Sequence, residues 1–563
     1  MKKPGLSNLD GRYPVYVILS SRSALERQYT QKGFAMIDLE LRALQEALAR
    51  TGRWDAILFY VDDPELAPAR PTFSLRPAVP TDPWEVKLGL ADLDAALGAQ
   101  GEMIGSVLII GGPQVIPFHM LPNPVDDDDQ LVASDNPYAT RDENYFIPEW
   151  PVGRLPGDAS PDPASLLSTI RQVAQHHRSQ TQARSWRQKM WLRLSQALVS
   201  FYARLSRQSP PPALGYSAAI WRRASLSVYR TIGEPRAMLV SPPVQLQSEC
   251  PLPQDGNNKA ACHIFPTARL GYFNLHGLPD AAEWFGQRDP TEPEPGDDFP
   301  LALRPEDIGA SNGNGKPKPT PLVVFSEACY GAYIQEKTVE ESICLKFIAS
   351  GARAFVGSTG ISYGSISTPL IAADLLGRAF WSYLREGFPA GEALRRAKIY
   401  LTREMHSRQG YLDGEDQKTL ISFMLLGDPM AEAVEQPRTH KAVLRQIHQP
   451  HQPHTVCDRM VPAAASHAVP PEILKQVKSV VSSYLPGMKD ASLSLSEERA
   501  ACTGNDHNCP TAQLGSKTIP ESEPNRQVVV LSKKVACATH THTQIARLTL
   551  DAQGKLVKLV VSR

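Results

Sequence analysis

The chain has 563 residues, of which 42% are hydrophobic and 21% charged, a composition typical of globular domains. This length exceeds what one hydrophobic core serves and predicts about two to four domains. Basic and acidic residues number 59 each, so no basic excess favours a nucleic-acid partner. We find no signal-peptide pattern and no apolar run of about 18 residues, so we expect no membrane span. With 8 Cys, too few for a disulfide scaffold, a cytoplasmic location with free thiols is expected.

The first part of the chain alternates strand and helix signals. Compact apolar runs separated by helical periodicity are typical of βαβ units in a parallel sheet that is covered on both faces. We therefore predict an N-terminal α/β subdomain over residues 1–150. Its predicted strands are VYVILS (15–20), AILFYV (56–61) and SVLIIG (106–111), and its predicted helices span 23–50 and 84–97.

Two segments follow that have ordinary and functional interpretations. The acidic cluster at 126–129 resembles a cation site, because carboxylates at close spacing are calcium ligands, but it lacks an ordered ligand loop and is more simply a solvated loop. The helical stretch at 162–207 carries a basic face. Such a face can contact membranes or partners, although the solvated face of a packed helix is the more common explanation.

A second α/β series occupies residues 151–435 and predicts a second α/β domain; reactive side chains at the ends of two of its strands make it the candidate catalytic domain. After it, a His-, Gln- and Pro-rich segment (436–465) reads as a linker. A small C-terminal α+β unit (466–563) is predicted to contain a helix near 471–485 and a hairpin that turns at Asp551–Gly554. The predicted strands of the second series are 236–241, 270–275, 321–326, 352–357 and 423–427, with a long helical region at 369–405.

Reactive side chains follow two successive predicted strands. The run LGYFNL ends at His276, and the run PLVVFS ends shortly before Cys329. In a parallel sheet, both carboxyl ends lie at one edge, where ligands of open α/β sheets bind. Neighbouring strands are about 4.8 Å apart, so the imidazole and the thiol can meet. An imidazole beside a thiol can remove its proton and later protonate a leaving amine.

Glycine follows the histidine directly. Because Gly277 has no side chain, a substrate carbonyl can approach its N–H, and the N–H of Cys329 can supply the second donor of an oxyanion hole. Taken singly, His276 is more often a structural residue and Cys329 a small buried hydrophobe. Their placement at the ends of adjacent strands favours a catalytic pair.

The motifs resemble those of the caspase-like cysteine peptidases, and most closely those of the gingipain branch. There an apolar strand ends in His-Gly and the next in Ala-Cys, as in NLHG (274–277) and SEAC (326–329) here. Three further segments match in order, so that the resemblance spans roughly 105–432. These segments are PVGRLP (151–156), GARAFVGST (351–359) and LLGDPM (425–430).

The resemblance implies a caspase-like parallel-sheet sandwich and a cysteine endopeptidase that acts on protein or peptide substrates without a cofactor or metal. Cys329 would be the nucleophile, His276 the acid/base, and Gly277 with Cys329 the oxyanion donors. The substrate-binding residues would lie after the histidine, at the end of GARAFVGST and in the loop that follows it. We assign this role to Glu283, Trp284, Ser358, Thr359 and Tyr363.

The chain also departs from the family. The family carries a Trp shortly after the Ser-Thr pair, where Gly364 stands here. Its Arg-specific members have a pocket acid before the histidine strand, but the matching segment 215–225 has no Asp or Glu. An acid from elsewhere, such as Asp135 or Glu283, would have to reach the pocket. Glu327 is expected to point away from the catalytic pair.

Other functions stay open on the sequence alone. The chain could be a catalytically silent caspase-like scaffold or a thiol-dependent amidase or thioesterase. The interval between His276 and Cys329 holds a loop suited to self-cleavage or gating. The C-terminal unit is expected to bind a regulatory partner. Its Cys and His residues fit no standard zinc finger, so no metal is predicted there. Fold analogy alone suggests a defence or signalling cascade.

Overall fold

The computed structural model describes most of the chain. The described residues are 11–52, 54–65, 75–141, 144–181, 213–243, 268–291, 296–309, 320–433, 453–460, 471–500, 514, 526–537 and 540–563.

The strands and helices of these residues alternate as expected for an α/β protein. The strands are β1 Tyr13–Ser20, β2 Asp55–Tyr60, β3 Glu102–Ile110, β4 His119–Pro122, β5 Leu131–Ser134, β6 Val152–Leu155, β7 Ala213–Ala218, β8 Met238–Ser241, β9 Leu270–Asn274, β10 Trp284–Phe285, β11 Leu301–Leu303, β12 Val323–Ser326, β13 Ala354–Ser358, β14 Tyr363–Gly364, β15 Phe423–Gly427, β16 Val456–Met460, β17 Ser492–Ala500, β18 Gln527–Cys537, β19 His540–Leu550 and β20 Leu556–Ser562. The helices are α1 Arg22–Ala49, α2 Pro83–Gly98, α3 Ala164–Thr181, α4 Arg222–Tyr229, α5 Ile343–Ala349, α6 Ala372–Arg385, α7 Ala390–Gln409, α8 Gly414–Ser422 and α9 Pro471–Tyr484.

One large sheet dominates the described residues. Its order is β2-β1-β3-β6-β15-β13-β12-β9-β7-β8, and all neighbouring strands are parallel except β15 and β13. The sheet therefore consists of two internally parallel halves that meet at one antiparallel pair. The predicted α/β fold with a mainly parallel sheet is confirmed. Residues 1–150 and 151–435 contribute strands to this same sheet.

The strands are apolar because helices cover both faces of the sheet. Every residue of β1 after Tyr13 is buried, and so are all residues of β9, β12, β13 and β15. Continuous apolar runs of this kind are typical of parallel strands that lack a solvent face. The predicted helical region at 369–405 is two helices, because Gly387 adopts a positive φ of 92° and Pro389 precedes α7.

The C-terminal unit contains more sheet than predicted. Strands β16 to β20 form an antiparallel meander, and β20 pairs on its outer edge with β14 of the second α/β series. Side chains alternate between the two faces: Val528 and Val530 pack with the core of that series, whereas Val529 and Leu531 pack with α9. The sheet is therefore buried on both faces, between α9 and the second α/β series.

The acidic cluster and the basic helix are two segments for which the sequence predicts exposed surfaces. The acidic cluster is not simply solvated, since Lys418 Nζ lies 2.6 Å from Asp127 and 2.7 Å from Asp129. The basic helix is described only as far as Thr181, and its Arg-rich continuation lies outside the described residues. Within the described part of the chain, no helix is long and apolar enough to cross a membrane.

Candidate active site

The strand register brings His276 and Cys329 to one edge of the sheet. Strands β9 and β12 are parallel neighbours, and Phe273 is paired with Ser326. His276 and Cys329 each lie three residues beyond this pair, and Gly277, the residue after His276, lies against the backbone of Cys329. Both are buried, with exposed fractions of 0% and 4%.

A hydrogen bond fixes the protonation of His276. Its Nε2 atom lies 2.9 Å from the carboxamide oxygen of Gln287, which also accepts a hydrogen bond from Gln544. Because that oxygen only accepts, Nε2 carries the proton of the neutral ring and Nδ1 keeps its lone pair. Nδ1 has no hydrogen-bond partner among the described residues. The ring of Trp221, whose centroid lies 4.4 Å from that of His276, holds the imidazole in place.

A strained turn presents Cys329. The next residue, Tyr330, has a positive φ of 54°, which is rare for a residue with a bulky side chain. Its N–H donates to the carbonyl of Gly360 at 2.9 Å, and its hydroxyl donates to Asp129 at 2.6 Å. The Ser362 N–H lies 3.2 Å from the Cys329 sulfur. Several contacts therefore hold the turn in a conformation that it would not adopt alone.

Gly277 lies directly against the cysteine. A Cβ atom at this position would overlap the carbonyl oxygen of Cys329. The backbone segment after His276 and the turn at Cys329 are therefore in contact, and only glycine permits this approach.

Burial keeps both groups of the pair neutral. It raises the pKa of the Cys329 thiol to about 12. It also lowers the pKa of His276 well below its ordinary value, and His542 reinforces this effect. Removal of a charged group from water disfavours its charged form in both cases. The described state therefore holds a thiol and a neutral imidazole rather than an ion pair.

Three predicted substrate-binding residues lie in the loop next to Cys329. Ser358 donates to the carbonyl of Gly360 at 3.0 Å, and Thr359 donates to the carbonyl of Ala133 at 2.6 Å. Tyr363 donates to Asp127 at 2.8 Å and forms β14. The hydroxyl groups of all three therefore stabilise the loop itself.

The remaining predicted residues lie differently. Trp284 is a core residue whose ring packs 5.8 Å from that of Phe273. Asp135 is buried against Arg154, with oxygen-to-nitrogen distances of 2.6 and 2.9 Å, so its charge is already paired. Glu283 is half-buried, one residue before β10.

Sequence reasoning missed the charged pocket beside the pair. Arg563, fully buried, donates to Asp374 at 2.5 Å and to the carbonyl of Ser365 at 2.9 Å. Its Nε atom lies 3.7 Å from Glu327. Glu327 also accepts a hydrogen bond from Tyr272 at 2.8 Å. No sequence signal marks Asp374, because an acid in the first turn of a helix has an ordinary role there.

A segment of the chain that contains part of this site matches a known protein family. Residues 302–434 match the model of peptidase family C25. This is the gingipain family, so the resemblance inferred from the sequence is confirmed over this segment, and the match supports a peptidase. The segment contains Cys329, Glu327 and Asp374, whereas His276 precedes it.

The chain was also compared with curated proteins and with solved structures. No curated protein matches the chain. A solved structure named "Structure of Protease" shares 11% identity with it, covers 95% of this chain over 97% of its own length, and has a TM-score of 0.44.

The structure assembles no metal site within the part it describes. No group of three or more His, Cys, Asp or Glu side chains there is arranged to hold a metal ion. In the C-terminal unit, Cys537 Sγ lies 3.4 Å from His542 Nδ1, while Cys502, His507 and Cys509 lie outside the described residues.

Proposed function

We propose that the protein is a cysteine endopeptidase in which Cys329 is the nucleophile and His276 the acid/base. The observation that carries this proposal is the equal placement of both side chains beyond paired residues of adjacent parallel strands. The C25 match over the Cys329 segment supports it independently.

The protonation of His276 suits this chemistry. Nδ1 of the neutral ring accepts the proton of the Cys329 thiol as the sulfur attacks the substrate carbonyl carbon. The N–H groups of Gly277 and Cys329 stabilise the resulting oxyanion. The imidazolium then gives its proton to the leaving amine, so that an acyl-enzyme and a free amine result. Water, deprotonated by the same imidazole, hydrolyses the thioester and restores the thiol.

Gln287 is a positioning residue in this scheme. Its carboxamide oxygen accepts from Nε2 in every step, and its hydrogen bond raises the pKa of His276 against the effect of burial. The residue therefore holds the ring orientation and favours the imidazolium when it forms.

A peptide-library cleavage assay with three alanine variants tests the proposal. We expect Cys329→Ala and His276→Ala to lose cleavage by about three orders of magnitude or more, as for members of other catalytic pairs. Cys344→Ala is the matched control, because Cys344 is also a buried free thiol but lies in α5. Cleavage retained by Cys329→Ala would refute the proposal.

A thiol-reactive peptide probe separates the alternatives. Cys329-dependent labelling without peptide cleavage would indicate a thiol-dependent amidase or thioesterase. The absence of both labelling and cleavage, measured in a variant in which Cys329 is accessible, would indicate a silent scaffold.

We also propose self-processing between His276 and Cys329, although residues 310–319 of that loop lie outside the described residues. Intact masses of the wild type and of Cys329→Ala should then differ, and identical fragmentation of both would contradict self-processing. A cytoplasmic location and a role in a defence or signalling cascade are further proposals, and the cysteine content and fold analogy support them.

A further inference from the structure

Strand β20 lies along the edge of the catalytic site as a bound peptide would. It pairs antiparallel with β14, with Ser562 opposite Tyr363 and Val561 opposite Gly364. The Arg563 N–H continues this pairing by donating to the carbonyl of Ser362 at 3.0 Å. Addition of a strand to an exposed sheet edge is a general mode of peptide binding.

The residue after β20 reaches the catalytic pair itself. Ser362 donates its N–H to the Cys329 sulfur and accepts that of Arg563, so the two residues share one neighbour. The Arg563 backbone acts on both groups, raising the pKa of His276 and lowering that of Cys329 against the larger effect of burial.

The Arg563 side chain fills a pocket suited to a guanidinium group. Asp374 supplies negative charge, and the carbonyl of Ser365 supplies a further acceptor. A carboxyl oxygen of Glu327 lies 3.7 Å from Nε, and burial and the neighbouring Asp374 raise the pKa of Glu327 well above its ordinary value. The guanidinium carbon lies 4.5 Å from the centroid of the Trp221 ring, in a cation–π arrangement. Both hydrogen bonds come from Nη2, and the aromatic wall favours arginine over lysine, because a delocalised guanidinium is less strongly hydrated than an ammonium and packs on aromatic faces.

The neighbouring strand β19 closes the remaining side. The ring of His542 lies 5.1 Å from that of His276, and Gln544 donates to the oxygen of Gln287 at 3.4 Å. The catalytic pair is consequently sealed by residues of the C-terminal unit, and a substrate cannot enter while this unit is docked.

We propose that the C-terminal unit is an intramolecular inhibitor whose strand β20 occupies the substrate cleft, with Arg563 in a guanidinium pocket formed by Asp374, Glu327 and Trp221. This inference rests on the proposed peptidase function. Peptides with an arginine at the corresponding position compete for the same pocket, so they are the substrate class that the freed site accepts.

Gly364 offers a second way to displace Arg563 from its pocket. A Cβ atom at residue 364 would overlap the guanidinium of Arg563. Gly364→Ala therefore obstructs the pocket from the catalytic side, whereas Arg563→Ala empties it from the inhibitor side. Both variants should release the strand, but only Arg563→Ala leaves a pocket that an arginine of a substrate can enter.

The test measures alkylation of Cys329 by iodoacetamide, followed by mass spectrometry. Cys344 in the same sample reports global unfolding, since it is buried in the core and not under the C-terminal unit. We expect Arg563→Ala to accelerate Cys329 labelling about a hundred-fold, because removal of the cation leaves Asp374 as the uncompensated partner of a buried ion pair. Labelling of Cys344 should stay slow.

Arg499→Ala is the matched control, since Arg499 lies in the same unit but is 48% exposed at its side chain. Its labelling should equal that of the wild type. Cleavage of arginyl peptides should rise in Arg563→Ala and not in Gly364→Ala. If Cys329 of the wild type is labelled as fast as in both pocket variants, the inhibitor proposal is wrong.

The two proposals fail in distinguishable ways. Faster Cys329 labelling without any peptide cleavage would support occupation of the cleft and refute the peptidase. Strong cleavage by the wild type, unchanged in Arg563→Ala, would support the peptidase and refute inhibition. If Arg563→Ala unfolds, as labelling of Cys344 would reveal, Gly364→Ala alone decides whether the strand covers Cys329.

Discussion

A buried ion cluster holds the C-terminal unit on the catalytic domain, and its central cation is Lys558 of β20. The Lys558 ammonium lies 2.6 Å from Asp413, 3.2 Å from Glu415 and 3.8 Å from Asp416. Although burial alone opposes its charge, these three carboxylates raise the pKa of Lys558 well above its ordinary value. Arg547 of β19 also pairs with Glu415, so the cluster contains two cations and three acids.

Replacement of Lys558 by methionine should release the unit. The change keeps the apolar part of the side chain but removes the cation nearest Asp413 and Asp416, while Arg547 still pairs with Glu415. Loss of one partner of a buried ion pair costs about 3–5 kcal/mol. Because the unfavourable contact exists only in the docked state, the docking equilibrium should shift by roughly 10²- to 4 × 10³-fold. Cys329 alkylation should accelerate by the same factor wherever undocking is faster than labelling.

The matched control is Lys555→Met in the turn of the same hairpin, where the side chain is exposed. It removes one positive charge at nearly the same place in the chain, so a general charge effect would appear in both variants. Equal Cys329 labelling in Lys558→Met and Lys555→Met would refute the reasoning. Faster labelling of Cys344 in Lys558→Met would indicate unfolding instead of undocking.

Further predictions concern the catalytic pair and its support. Gln287→Leu removes the acceptor for His276 Nε2, so the kcat of cleavage should fall about 10- to 100-fold. The pKa of His276, read from the pH profile of cleavage, should also fall. An unchanged profile would show that Gln287 does not position the ring. Gly277→Ala should abolish cleavage while Cys344 stays protected, because its methyl group displaces the turn at the nucleophile; full activity would contradict the contact. Asp428→Asn should lower stability to urea by about 1–3 kcal/mol at pH 7, since Asp428 accepts from Tyr16 and lies 2.9 Å from His177. Burial opposes the Asp428 charge, but His177 and the hydrogen bonds lower its pKa, so the stability it adds is present above about pH 4 and is lost as the pH falls through the lowered value. The difference between the two proteins should therefore shrink below about pH 4, and a constant difference would refute this account.

The placement of His276 and Cys329 at one edge of the sheet was accessible from the sequence because its signals are local. Apolar runs that stop at His276 and shortly before Cys329 mark strand ends, and strand–helix alternation predicts that these ends share an edge. The structure places both residues at such an edge. Only the pairing of two consecutive strands had to be guessed, and consecutive strands are usually neighbours.

The charged pocket was not accessible in this way. Asp374 lies in the first turn of α6 and Glu327 next to the nucleophile, and each has an ordinary local explanation. Asp135, which the sequence offered as a pocket acid, is instead paired with Arg154. Charged residues from distant segments come together only through tertiary packing, and hydrophobic periodicity contains no information on such pairs.

The C-terminal unit shows a further limit. The hairpin around Asp551–Gly554 was predicted correctly, and β19 and β20 pair as expected. The pairing of the outer edge of β20 with another strand was not predicted. A strand can form hydrogen bonds along both edges, and its sequence does not specify which strand pairs with each edge. The sheet of the C-terminal unit therefore extends beyond the unit itself, because it includes β14 of the second α/β series.

Gly364 and Arg563 are explained only when taken together. In the family that the chain resembles, a tryptophan stands at approximately position 364, whereas here any side chain would overlap the guanidinium. A glycine in a loop and an arginine after a strand are both common, so neither residue attracts notice in the sequence. Their contact means that enlarging one residue requires the other to leave. Glycine instead of tryptophan at residue 364 thus leaves the space that the Arg563 side chain occupies in the proposed inhibited state.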